Sequence, residues 1–131
     1  MIISVDTNIL IQASISNGKS RKMLEQICAN NELVLSEVVL IEYKEVIKRN
    51  YILNRYEPIN ILENIKYKTI GIQKNIDYNL FNIRDRKDYL VLYCLLDKVD
   101  IFISNDKDFN DVTIEKPLIM TPLKFVKEFM H

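Results

Sequence analysis

The stretch Ile2-Ile3-Ser4-Val5-Asp6-Thr7-Asn8-Ile9-Leu10 joins a short, almost wholly apolar run to three residues that favour helix N-caps. Ile2 to Val5 reads as a buried strand, and a helix through about Ala13 follows it at once. The same strand-then-helix grammar recurs outward from there. After the Asn17-Gly18 turn signal, Ser20 to Ala29 carries Met23, Leu24, Ile27 and Cys28 at helical spacing. Leu33-Val34-Leu35 is a strand, and Ser36 with Glu37 opens a helix to about Asn50. Pro58 to Lys66 reads as helical, with Ile61, Leu62 and Ile65 on one face. Thr69 to Ile72 has strand character, and Asn75 to Asn82 reads as a loop or short helix. Asp85-Arg86-Lys87-Asp88 opens a helix containing Leu90, Val91, Cys94 and Leu95. The strand Asp100 to Ser104, the strand Leu118 to Met120 and a closing helix begun by Thr121-Pro122 complete the chain. Strands that alternate with helices imply a mainly parallel central sheet covered on both faces, a three-layer α/β/α architecture.

Composition agrees with that class. With 131 residues and 48% hydrophobic content, the chain has the size and the apolar inventory of a single domain spanning 1–131. Eighteen basic and eighteen acidic residues cancel, so no global field recruits a polyanion or an anionic membrane. Any such partner must be held by local patches or through a metal. Two glycines and three prolines argue against linker-rich chains and loop-rich all-β sandwiches. Cys28 and Cys94 stand far apart within helical patterns and read as buried free thiols of a reducing compartment. Neither a signal peptide nor a membrane span is expected, so the expected location is cytoplasmic. The single histidine, His131, ends the sequence, which removes Ser-His and Cys-His pairs and histidine zinc sites from consideration.

Chemistry must therefore come from carboxylates, amides or hydroxyls. In an open parallel sheet the ligand crevice lies beyond the carboxyl ends of the strands, where Asp6 follows the first strand and Asp106 follows the strand ending at Ser104. Each alone suits a turn or cap. Glu42 points out of a largely apolar helical face and has no basic residue at either following helical neighbour. Glu45, by contrast, has Lys48 and Arg49 at those positions and reads as a solvated pairing residue. A carboxylate on a buried face is costly unless protonated, paired or holding a cation. Asp85 and Asp88 have the spacing of an N-cap and a capping-box acid. A helix start also sits at the strand-end rim, so Asp88 can face the crevice while Asp85 caps. Four convergent carboxylates without histidine or cysteine form an all-oxygen environment suited to Mg²⁺ or Mn²⁺, and such ions typically serve phosphodiester hydrolysis.

In order and approximate spacing, Val5-Asp6-Thr7-Asn8-Ile9-Leu10, Ser36 with Glu42-Tyr43, Arg84-Asp85-Arg86-Lys87-Asp88 and Ile103-Ser104-Asn105-Asp106-Lys107-Asp108-Phe109 resemble the four acidic motifs of PIN-domain ribonucleases. The branch suggested is the bacterial and archaeal one of VapC-like toxin components. The resemblance implies a PIN-like fold and Mg²⁺- or Mn²⁺-dependent endoribonuclease activity. It assigns Asp6, Glu42, Asp88 and Asp106 to the metal-binding acidic cluster. Asn8, Asp85, Ser104 and Asp108 become supporting or water-positioning groups around it. It further implies an RNA substrate, a small antitoxin that occupies the acidic groove, and a homodimer. The sequence departs from the pattern in two places. The third motif reads Asp85-Arg86-Lys87-Asp88, and the usual glycine of the fourth motif is Asn105, a residue that tolerates the left-handed backbone conformation better than most.

A surface for RNA is offered by Lys44, Lys48, Arg49, Arg55, Lys66 and Lys68, interleaved with Tyr43, Tyr51, Tyr56 and Tyr67. Rival functions are a response-regulator receiver, which lacks its phosphoacceptor aspartate here, and a flap-type DNA nuclease, for whose helical insertions the chain has little room. A catalytically silent PIN-like RNA- or protein-binding module, or a nuclease of RNA processing outside a toxin–antitoxin pair, stands as the alternative.

Overall fold

The computed structural model describes residues 1–54 and 58–130, with residues 50–54 as backbone; Arg55, Tyr56, the Tyr51 side chain and His131 lie outside the described residues. Strand β1 (Ile2–Val5) runs into helix α1 (Thr7–Ile15), followed by α2 (Lys19–Asn30), β2 (Glu32–Ser36) and α3 (Glu37–Asn54). A 3₁₀ turn at Ile61–Glu63 precedes β3 (Lys68–Ile70). After it come α4 (Arg86–Leu95), β4 (Ile101–Ile103), a second 3₁₀ turn at Lys107–Phe109, β5 (Leu118–Met120) and α5 (Pro122–Phe129).

All five strands join one sheet in the order β3-β2-β1-β4-β5, and every pairing is parallel. The expected α/β/α layering is present, and the sheet is wholly rather than mainly parallel. The three central strands are buried along almost their whole length, as sequences without polar alternation require when helices cover both faces. Edge strands β3 and β5 are half open, with Lys68 and Thr69 exposed and Leu118 58% exposed. Core side chains include Ile3, Val5, Leu24, Leu35, Val39, Leu92, Phe102 and Phe125, each almost fully excluded from solvent.

The strand order creates the crevice. The chain steps from β1 to β2 to β3 in one direction and then returns to lay β4 on the other side of β1. Succession therefore reverses between β1 and β4, and the loops leaving their carboxyl ends diverge there. Val5 pairs with Ile103, so Asp6 and Ser104 leave the sheet side by side.

Several expectations are corrected. Pro58 to Lys66 is not a helix beyond its one 3₁₀ turn. The Ile61 N–H donates to the Tyr43 hydroxyl (3.2 Å) and lies 3.4 Å from Ser14 Oγ, while the Leu62 N–H donates to Asn60 Oδ1 (3.1 Å). Side chains from α1 and α3 thus take the Ile61 N–H, and Asn60 caps the short turn locally. Strand β3 ends at Ile70 rather than Ile72, because the Ile72 N–H leaves the ladder to donate to Glu37 Oε2 (3.2 Å). Helices α1 and α3 each run further than expected, to Ile15 and Asn54. Cys94 is buried and Cys28 only half-buried; both are free. Among the described residues, no helix is long and apolar enough to cross a membrane.

Candidate functional site

The rim above β1 and β4 is assembled from backbone outward. The Asp6 N–H donates to the Ile103 carbonyl (3.0 Å), stitching the two strands one residue past their ladder. Asp6 is the N-cap of α1, and its Oδ1 accepts the Thr7 N–H (2.8 Å). Its other oxygen, Oδ2, accepts the Ser104 hydroxyl (2.7 Å), and Ser104 Oγ in turn accepts the Asp106 N–H (3.0 Å). One serine thus orients two aspartates from strands 98 residues apart in sequence. Asp6 is only 8% exposed, and burial raises its carboxyl above the ordinary range, an effect enhanced by Asp106 and opposed by the bonds from Ser104 and Thr7.

Asp106 caps the following 3₁₀ turn, its Oδ1 accepting the Asp108 N–H (2.9 Å). Across the crevice, Asp85 caps α4 by accepting the Asp88 N–H (3.0 Å). Among the described hydrogen bonds, the reciprocal half of a capping box, from the Asp85 N–H to the Asp88 carboxylate, is absent. Asp88 instead meets Asp106 and Asp108, and carboxylate oxygens of the three lie within 4.8 Å of one another. Burial first, then Asp108 alongside, then Asp106, Asp85 and Asp6, push the Asp88 carboxyl up to about 8.

Glu42 stands half-buried on α3, lining a groove of about 170 Å³ with Val38, Ile41, Glu45, Ile72, Lys87 and Leu90. Burial raises its carboxyl; Lys87 opposes that effect, and Asp6, Asp85 and Glu45 add to it. Its cationic neighbour therefore comes from α4, a residue that sequence spacing on α3 could not disclose. Glu45 is exposed as expected, but among the described residues it forms no ion pair with Lys48 or Arg49. Asn8 is exposed in the first turn of α1.

Of the four acids expected to converge, Asp88 and Asp106 do so most tightly. Asp108, expected only in support, is their third partner, because the 3₁₀ turn brings it back beneath Asp106. Asp6 is joined to them through Ser104, and Glu42 borders the same rim without entering the group of three. Asn105 does not adopt the left-handed conformation: among described non-glycine residues, only Asp97 has positive φ, at 61°.

The expected basic and aromatic surface does not survive as a unit. Tyr43 is 1% exposed, its hydroxyl bonded to Ser14 within the core. Lys66, Tyr67 and Lys68 lie at the amino end of β3, opposite the acidic rim, and Lys68 pairs with Glu32 at 2.8 Å. Lys44, Lys48 and Arg49 are exposed on α3.

An all-carboxylate set in which Asp6, Glu42 and Asp88 are raised matches a hard divalent cation, since oxygen donors that crowd without counter-charges are relieved either by protons or by such an ion. No protein-family model matches the chain, and no curated protein matches it in sequence. Among solved structures, the chain is similar to VapBC2 from Rickettsia felis, crystallised bound to a DNA fragment from their promoter. The TM-score is 0.63 at 16% identity, covering 92% of this chain and 98% of that one. The chain has a PIN-like fold. Identity this low speaks for the fold alone. Within the PIN-like fold, the carboxylates described above occupy the switch point between β1 and β4, where open parallel sheets place their ligands.

Proposed function

We propose that this chain, as a single domain over 1–131, is a divalent-metal-dependent endoribonuclease and the toxin of a toxin–antitoxin pair. The observation that carries the proposal is the meeting of Asp88, Asp106 and Asp108 within 4.8 Å at the switch point, with Asp6 tied to them through Ser104. Asp6, Glu42, Asp88 and Asp106 would hold Mg²⁺ or Mn²⁺, with Asp108 close enough to share that task. A bound ion of this kind supplies charge stabilisation on a phosphodiester and a water acidic enough to attack phosphorus at neutral pH. The chain's own contribution is positional. Ser104 fixes the Asp6 carboxylate and the backbone at Asp106, the Asp85 cap fixes the start of α4 and so the station of Asp88, and Lys87 lines the same groove as Glu42 and offsets part of its desolvation. Because burial and the neighbouring acids push the Asp88 carboxyl up to about 8, a cation held there would compete with that proton and would bind more strongly as pH rises.

Likeness to the VapBC2 structure supports a toxin role with a small antitoxin partner. In this reading the antitoxin covers the acidic rim, the protein works as a homodimer in the cytoplasm, and RNA is the substrate. The test is incubation of purified, antitoxin-free protein with total RNA and structured oligonucleotides in Mg²⁺, Mn²⁺ or chelator, with the cut ends mapped. We expect metal-dependent cleavage leaving 5′-phosphate and 3′-hydroxyl ends. Cyclic phosphate ends, or full activity in chelator, would reject the mechanism.

A further inference from the structure

The segment between β3 and α4 leads straight into the acidic rim and is anchored to α4 by two tyrosines. The Tyr89 hydroxyl donates to the Asp77 carbonyl and accepts the Leu80 N–H (3.2 Å). The Tyr93 hydroxyl donates to the Asn75 carbonyl (3.3 Å) and accepts the Asp77 N–H (3.4 Å). The segment returns two rings to the same helix: Phe81 stacks on Tyr89 with centroids 4.2 Å apart, and Tyr78 leans on it at 5.2 Å. Tyr78 nevertheless remains 43% exposed, and the Arg86 guanidinium lies over its ring at 4.9 Å.

Arg86 is the first residue of α4, two positions before Asp88. It is exposed and takes part in none of the ion pairs formed among the described residues. The carboxylate nearest in sequence, Asp85, is occupied as the helix cap. A guanidinium laid on a ring has its plane set in advance, so it loses less freedom when it grips a planar or tetrahedral anion. A fixed cation beside an exposed aromatic is the pairing that single-stranded nucleic acid uses, phosphate to the charge and base to the ring. An acidic peptide would need the cation and make no use of the ring.

Resting on the ribonuclease reading above, we infer that Arg86 and Tyr78 form a binding platform for single-stranded RNA beside the acidic cluster. Arg86, two positions from Asp88 and so on another side of α4, grips a phosphate further along the strand from the one that is cut, and Tyr78 backs the base beside it. The platform replaces the surface along α3 and β3 that sequence alone suggested, and it gives an electroneutral chain its local hold on a polyanion.

The test pairs binding with cleavage. Affinity of the full chain for a fluorescein-labelled 12-nucleotide single-stranded RNA is read by anisotropy in chelator across a salt series; cleavage of the same RNA is read with Mg²⁺. Arg86→Ala should weaken binding about five- to tenfold and lower the salt slope by about 0.7, the value of one single-strand phosphate contact. It should raise KM with little change in kcat, because a contact to a distant phosphate is equal in ground and transition states. Arg86→Lys should keep the salt slope and lose part of the affinity. Tyr78→Ala should weaken binding, and the ring-retaining Tyr78→Phe should rescue the affinity that alanine loses, each variant checked for an unchanged melting temperature. Lys22→Ala on α2 serves as the neutral control. Cleavage with unchanged affinity and salt slope in Arg86→Ala overturns the platform while leaving the nuclease intact. RNA binding that depends on Arg86 without any cleavage supports the platform and sinks the nuclease. Equal competition by a poly-glutamate peptide and by RNA reassigns the patch to an acidic protein partner and overturns the inference.

Discussion

The two ends of the same parallel sheet treat their acids in opposite ways. At the amino end, Glu32 pairs with Lys68 at 2.8 Å and Asp100 with Lys116 at 3.5 Å. Asp100 also accepts the Ile2 N–H at 2.7 Å, and that bond, aided by Lys116, holds its carboxyl below the ordinary value. At the carboxyl end, Asp6, Glu42 and Asp88 are all raised, because they are desolvated and lie near other carboxylates. Both ends supply hydrogen-bond donors, but among the described residues only the amino-end acids also form ion pairs with lysines, and acids crowded without such counter-charges are relieved by protons or by a cation. That contrast supports the proposed site at the carboxyl end more sharply than any single motif does.

The comparison breaks most visibly through activity. Asp6→Asn or Asp106→Asn should lower RNA cleavage by several orders of magnitude, while Asp100→Asn at the other end should leave it unchanged; initial rates with Mg²⁺ in excess decide this. Comparable losses at both ends would mean that the mutations act through folding. Smaller is the expected split on α3. Glu42→Gln should slow cleavage about ten- to a hundredfold, the usual cost of disturbing groups around a metal site. Glu45→Gln, exposed on the next turn, should stay near wild type, and equal losses would show that the rim does not extend to Glu42 in function.

Stability in chelator sharpens the same contrast with opposite signs. Asp88 binds its proton more tightly folded than unfolded, so its contribution is fully present below the unfolded value near 3.8 and is lost as pH climbs through about 8. Metal-free Asp88→Asn should therefore melt above wild type at pH 8.5, with the gain shrinking toward pH 5, and should gain less from added Mg²⁺. Asp106→Asn should likewise melt no lower than wild type in chelator; a metal-independent loss would make Asp106 chiefly a turn residue. The smallest effect belongs to Asp100. Its depressed carboxyl contributes above the unfolded value of 3.8 and loses that contribution as pH falls through its folded range. Asp100→Asn should lower the melting temperature by no more than a few degrees at pH 7, as exposed pairs do, and by nothing in strong acid.

Local signals were legible where they are made of neighbours in sequence. The uniformly apolar runs at Ile2–Val5 and Ile101–Ile103 announced strands buried on both faces, and Asp6, Asp85, Asp106 and Thr121 all cap where short polar residues ahead of helices suggest. The order of elements announced the α/β class. Pro58–Lys66 misled because apolar spacing alone cannot tell a helix from a short turn whose first N–H is taken by distant hydroxyls and whose second is taken by a local asparagine cap. Tyr43 misled for a related reason: its basic neighbours in sequence point elsewhere once α3 packs, and its ring fills the core.

Outside the stretch from Pro58 to Asn82, the sequence by itself therefore determined which segments are strands, which are helices, and that acids stand at the strand ends, because propensity, capping and burial patterning act over a few residues. Only the tertiary structure decided that β4 returns beside β1, so that Ser104 reaches Asp6 across 98 residues. It also decided that Asp88 turns from its own cap toward Asp106 and Asp108, that Lys87 answers Glu42, and that Arg86 lies on Tyr78. Apart from the Arg86–Tyr78 pair, which joins α4 to the segment just before it, each of these brings together elements distant in the chain, set by which faces bury against which. No local pattern carries that information.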